Sequence, residues 1–204
     1  MRDYGSATLT ALQARAGIVS RVLIWFSARN RATNAVETMG LWTGADHEYF
    51  TISAAPRLYY GAGNVMDIPQ LTYQSGLAVR IHRIGLSPLT PEVMQLIRGY
   101  DVKSAPVEIH RALYSTDTRL LIEEPHRVLT GFVDEVDLGT PAAGGTSSCV
   151  LGIATSARVL TQDLAIKKSD ETQRLRSGDR MRRWGDVSGA VDVWWGATRQ
   201  GGGS

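Results

Sequence analysis

Apolar residues along this chain recur mostly with a period of two, the spacing of strands, and only briefly with the spacing of helices. In "IVSRVLIWFSA", Ile18 to Ala28, Val22, Ile24 and Phe26 fall on one face and Leu23 and Trp25 on the other. Both faces are apolar, so this strand is expected to be covered on both sides. "LTYQSGLAVRIHRIGLS" alternates Leu77, Val79 and Ile81 against Arg80 and His82, which predicts a half-buried strand. "APVEIHRALYSTDTRLLIEEPHRVLTGFVDEVDL" reads as a meander with strands near 106–114, 119–123 and 127–138 and turns at Thr116-Asp117-Thr118 and Glu124-Pro125. "TSSCVLGIAT" adds another strand. The β-prone pieces around Gly44-Ala45-Asp46-His47 predict a hairpin, and "PRLYYGAGNVMDIP" a further strand and turn.

Two stretches carry helical signals. Ser6 is placed to cap a short helix with Leu9, Leu12 and Ala16 on one face and Gly17 at its end. Thr90-Pro91-Glu92 opens a second with a cap and a proline at its first position, continued by "VMQLIRGY". "RNRATNAVETMG" is polar and aperiodic, which predicts a loop or arm near 29–48. The expected class is mainly β, an antiparallel sandwich or barrel with two or three short α-helices and one long polar arm. A single domain is expected over 1–196, with a charged segment at 167–185 and a flexible tail at 197–204.

Composition narrows this picture. A chain of 204 residues with 43% hydrophobic side chains holds a core that needs no staples. One cysteine, Cys149, excludes an internal disulfide and any Cys-rich zinc or iron–sulfur site from this chain, and fits a reducing compartment. The N-terminus has no apolar leader, and the longest strongly apolar run, Val22 to Phe26, is far too short to span a bilayer. A soluble protein without a membrane anchor is expected.

Candidate chemistry is sparse. None of His47, His82, His110 and His126 lies three or four residues from another, and Asp46-His47-Glu48 reads as a polar tip rather than a metal site. His82 and His110 are expected to be exposed or hydrogen-bonded on their strands, and Cys149 to be a buried, inert thiol. "GAGNVM", Gly61 to Met66, lacks the third glycine and the βαβ setting of a dinucleotide fingerprint. Glu123/Glu124 and Asp134/Glu135 are expected to be strand-end or solvent-face neighbours and do not suggest an acid–base pair. The expectation is no enzyme, no catalytic residue, no cofactor and no metal.

"KKSDETQRLRSGDRMRRWG", Lys167 to Gly185, stands apart: seven basic and three acidic side chains give +4, against a formal +2 for the whole chain. Asp170 precedes Arg174 by four and Asp179 precedes Arg183 by four, spacings that pair acid with base on helical turns. Such pairing removes the free cationic heads that a nucleic-acid arm uses, so no specific nucleic-acid binding is expected. A solvated charged face is the plain alternative. The expected role is subunit contact through Arg174, Arg176, Arg180, Arg182 and Arg183, oriented by Asp170 and Asp179. The nearby "DVSGAVDVWWG", with Trp194 and Trp195, is an aromatic end that must close the sheet or pack on a partner.

In order along the chain, "VEIHRAL", a Thr-Asp-Thr turn, "EPHRVLTGFVDEVDL", an apolar strand and "KKSDETQRLRSGDRMRRWGDVSGAVDVWWG" resemble the tail-tip hub proteins of long-tailed phages and gene transfer agents. "RNRATNAVETMGLWTGADHEYF" and "TYQSGLAVRIHRIGLSPLTPEVMQLIRGYD" also look like those of alphaproteobacterial members. The resemblance runs over roughly residues 6–196. Its most specific parts are the Gly131-Phe132 strand and Ser169-Asp170…Gln173…Arg176…Gly178-Asp179. It implies a non-enzymatic, β-rich ring component of a virion, made in the host cytoplasm. That component would join the tail tube and distal-tail ring to the tip around the DNA exit channel. Copies of itself, in a trimer or in the hexamer of a distal-tail protein, and neighbouring distal-tail and tip or fibre proteins are the implied partners. Some members carry a further cysteine region holding an iron–sulfur cluster; with one cysteine here, no cluster is implied. Two other classes remain: a receptor- or glycan-binding module using Trp42, Tyr49, Phe50, Tyr59 and Tyr60, and a cell-wall hydrolase, for which no convergent acid–base set stands out.

Overall fold

The computed structural model describes residues 4–15, 17–72, 78–143, 145, 147–161, 167–185, 187 and 189. The expected single domain over 1–196 divides after Thr161 into two compact units, Met1–Thr161 and Gln162–Ser204.

The first unit is mainly β, as its period-two pattern dictates. Among the described residues ten strands form one sheet: β1 (Ile18–Asn30), β2 (Val36–Trp42), β3 (Glu48–Ile52), β4 (Ala55–Tyr60), β5 (Val65–Asp67), β6 (Ile81–Leu86), β7 (Tyr100–Asp101), β8 (Pro106–Ser115), β9 (His126–Gly139) and β10 (Ser148–Thr155). Their order is β3-β4-β2-β1-β8-β9-β10-β6-β5, with β7 on β1. The pairings are antiparallel except β2 with β4, which touch in parallel at Gly40–Tyr59 and Leu41–Tyr60. Gly40 permits that contact: a Cβ there would lie 2.5 Å from the Leu58 carbonyl oxygen and 2.6 Å from the Tyr59 ring.

β1 is covered on both sides, as its sequence predicts. Ile24, Phe26 and Ala28 enter a large core with residues of β2, β5, β6, β8, β9 and β10. For strands so far apart in the sheet to share one core, the sheet must curl around it. Leu23 and Trp25 face the other way, into a second core with Trp42, Phe50, Ile52, Tyr59 and Ala112. The β3–β4 hairpin therefore folds over the outer face of β1 and β8. The aromatic run considered as a glycan-binding face is largely this second core: Trp42, Phe50 and Tyr59 are buried, and only Tyr49 is strongly exposed.

Several expectations are corrected. The 29–48 region is no arm: β1 continues to Asn30 and turns into β2, with Arg29 opposite Val36. Asn30 makes that turn, its side-chain oxygen accepting from the amides of Ala32 (2.9 Å) and Thr33 (3.3 Å). The strands flanking Gly44–His47 do not pair with each other; β3 pairs with β4 instead. In β6 the face is inverted, with His82, Ile84 and Leu86 buried and Ile81 exposed. The 119–123 strand reduces to one bridge between Tyr114 and Leu121.

Helix α1 spans Ser6–Gln13 with Gly5, not Ser6, at its N-cap and no side-chain cap of its own. Its Leu9 and Leu12 are exposed. Helix α2 covers Pro91–Met94 and widens into a π turn over Gln95–Gly99, which buries Val93, Leu96 and Ile97 in the large core. In the second unit, helix α3 spans Asp170–Arg174 and is capped by Ser169, whose hydroxyl accepts from the Thr172 amide. No helix among the described residues is long and apolar enough to cross a membrane.

Candidate functional site

Two places gather chemistry, one in each unit. The first is a cleft of about 450 Å³ at the polar edge of the second core, lined by α1, the β3–β4 turn, β4, β8 and the 123–127 stretch. On β8, Val107 and Ile109 enter the large core, so alternation sends Glu108 and His110 to the opposite face. A bulge lies beside them: Ile109 pairs with Leu129 but His110 pairs with Arg127, leaving Val128 extra in β9. Bulges re-aim side chains, and here Arg127 and His126 both reach the cleft.

Glu123 and Glu124, read from sequence as solvent neighbours, are latches. Glu123 accepts from the Thr8 hydroxyl (2.6 Å) and the Thr8 amide (3.3 Å), supplying α1 with the cap its own sequence lacks. Glu124 accepts from the Ser53 amide (2.6 Å) in the β3–β4 turn, where Ser53 (φ 52°) and Ala54 (φ 62°) both hold left-handed backbone. That is the mirror-image turn a two-residue hairpin needs, made without glycine.

At the inner end of the cleft Arg57 pairs with Glu108 at 2.6 Å and lies 5.1 Å from the Trp25 ring centroid. Burial alone would raise the Glu108 carboxyl, but the hydrogen bond and charge of Arg57 prevail and hold it below its usual range. His110 is 2% exposed. Burial pushes its imidazole down to about 4, opposed by Glu108 and reinforced by Arg57 and Arg127. The ring is therefore neutral near pH 7. Its Nε2 stands 3.9 Å from Glu108, too far for a hydrogen bond, and its buried Nδ1 has no partner among the described residues. Tyr59 is likewise buried beside Arg57, its hydroxyl pushed up to about 12 by burial. Sequence reading missed this cluster because Arg57, Glu108, His110, Glu123 and Arg127 come from four separate elements. The signal available was a charged residue and a histidine on one face of a strand whose other face is apolar.

The second place is the charged segment. Asp170 and Arg180 pair at 2.8 Å, Arg174 pairs with Glu171 at 3.2 Å, and Asp179 accepts from Gln173 at 2.9 Å. Asp170 and Asp179 are thus engaged, but not with the expected Arg174 and Arg183. The reason is local: α3 lasts only five residues, and left-handed Ser177 (φ 54°) and Gly178 (φ 75°) reverse the chain, carrying Arg180 back to Asp170. The Gln173 and Met181 hydrogen bonds hold the Asp179 carboxyl below its ordinary value, and Asp170 raises the Arg180 guanidinium above its own. Arg183 lies 4.9 Å from the Trp184 ring centroid. Arg176 and Arg182 make no ion pair with any described residue; with Lys167 and Lys168 they border a groove of about 560 Å³ that no carboxylate lines among the described residues. Trp194 and Trp195 lie outside the described residues.

No group of three or more histidine, cysteine, aspartate or glutamate side chains among the described residues is placed to hold a metal ion. No protein-family model matches the chain, and no curated protein matches it in sequence.

Proposed function

We propose that this protein is a structural ring subunit of a long-tailed phage or gene-transfer-agent tail tip. In this reading it is a hub component joining the tail tube and distal-tail ring to the tip around the DNA exit channel. The observation that carries the proposal is the 167–187 stretch, in which no described residue is buried while Leu175, Met181, Trp184 and Val187 stand exposed among arginines. Apolar side chains in such number are covered in a working assembly. The basic groove beside them fits an acidic rim on the covering subunit. The outward Leu9 and Leu12 of α1 offer a second apolar contact, and the resemblance noted above supplies the kind of partner.

A trimer is the expected state for a hub. A hexamer would indicate the adjoining distal-tail ring. Native mass spectrometry and negative-stain imaging of the purified chain, alone and with its neighbouring tail proteins, test this. We expect a closed ring that is lost in the Leu175→Asp/Trp184→Ala double variant while the first unit's melting is unchanged. A chain that stays monomeric at every concentration and joins none of the tail proteins would overturn the reading.

A further inference from the structure

The cleft of the first unit has hydrogen-bonding capacity that the fold leaves unmet. His110 is almost wholly buried and lines the cleft, and its Nδ1, itself buried, has no partner among the described residues. A neutral imidazole offers one donor and one acceptor, and burying either without a partner is costly. At about 450 Å³ the cleft far exceeds the space of one bridging water and falls within the about 300–1,000 Å³ of small-molecule sites.

The lining selects the chemistry of the guest. Arg57 and Glu108 neutralise each other, and among the described lining residues Glu123 and Glu124 add negative charge against the guanidinium of Arg127. An anion is therefore poorly served. An apolar guest would strand the polar walls. Hydroxyl groups, which donate and accept together, match carboxylate, guanidinium and imidazole alike. The Tyr4 and His126 rings, 4.8 Å apart, supply a flat wall on the same cleft.

We propose that this cleft binds a saccharide of one or two rings, its hydroxyls meeting the Glu108 carboxylate and the Arg127 guanidinium beside the His110 ring, with a sugar face on the Tyr4–His126 wall. The site is distinct from the aromatic run of the second core and does not depend on the ring assembly.

Saturation-transfer NMR and calorimetry on the full chain test it, with methyl glycosides of glucose, galactose, mannose and N-acetylglucosamine, with cellobiose and chitobiose, and with inorganic phosphate as the anionic comparison. We expect saturable binding of at least one sugar. Arg127→Ala and His126→Ala should each weaken it roughly tenfold or more, since each removes a hydrogen bond or stacking contact. Arg98→Ala, outside the cleft, should leave it unchanged. Arg127 is exposed, so its variant keeps the fold. Three results would each overturn the proposal: no sugar of the panel bound at millimolar concentration, binding unaffected by both cleft variants, or phosphate bound more tightly than every sugar.

Discussion

Leu23 and Leu175 carry the same side chain into opposite surroundings, the first 0% exposed in the second core and the second 85% exposed beside a cluster of arginines. Around Leu23, alternation along β1 loads both faces of a strand and the sheet supplies cover for each. Around Leu175, a five-residue helix and a left-handed turn hold the backbone, and ion pairs fix the polar side chains. Neither of these buries apolar area. Buried apolar packing is thus concentrated in the first unit, and the exposed surface that the proposed ring would cover lies in the second.

The strongest way to break the contrast is Phe26→Ala, which opens the large core at one of its largest fully buried side chains. A loss of about 3–5 kcal/mol is expected in urea denaturation followed by tryptophan fluorescence.

Acid probes the same unit through its polar edge. The His110 imidazole falls from an ordinary 6.5 to about 4 in the fold, so the unfolded chain takes up the proton first. Stability is full above pH ~6.5 and drops by about 3 kcal/mol as the pH approaches 4. Protonation there is opposed by burial, Arg57 and Arg127 and favoured by Glu108 and Glu124. A His110→Asn variant should lose most of that slope when denaturation midpoints are compared between pH 7 and 4.5.

The smallest effect sharpens the comparison. Leu175→Ala should leave the stability within about 0.5 kcal/mol of the parent, while weakening the proposed ring in the same preparation. A large loss of stability would mean that Leu175 is buried in the isolated chain.

What could be read from sequence followed from how many faces of an element are apolar. β1, with two, β8, where Val107 and Ile109 alternate with Glu108 and His110, and β10, with its apolar run Cys149 to Ala154, were legible with nearly correct bounds. β6 was legible as a strand but turned over, because His82 counts as polar in a pattern and yet is buried, its imidazole pushed down mainly by that burial and then by Arg80. The start of β2 was hidden because its pairing with β1 passes through Ser27–Thr38 and Ala28–Glu37, where small and polar side chains give no periodic signal. In the charged segment, abundance of acid–base pairs was legible and their identity was not. Spacing assumes a continuing helix, whereas a two-residue left-handed turn decides which arginine returns to Asp170. The cleft was illegible for a related reason: the order β4-β2-β1-β8-β9 and the bulge at Val128, not proximity in sequence, assemble it.

The lone thiol gives this protein an internal clock. Cys149 is 2% exposed where β10 pairs with Leu86 of β6 and Leu138 of β9, and burial, then Asp137, push it up to about 11. In that setting it is neither ionised nor reachable, so a thiol reagent reacts only when β10 leaves the sheet. Its labelling rate therefore times the opening of the central strands directly, in the native sequence and without an added probe.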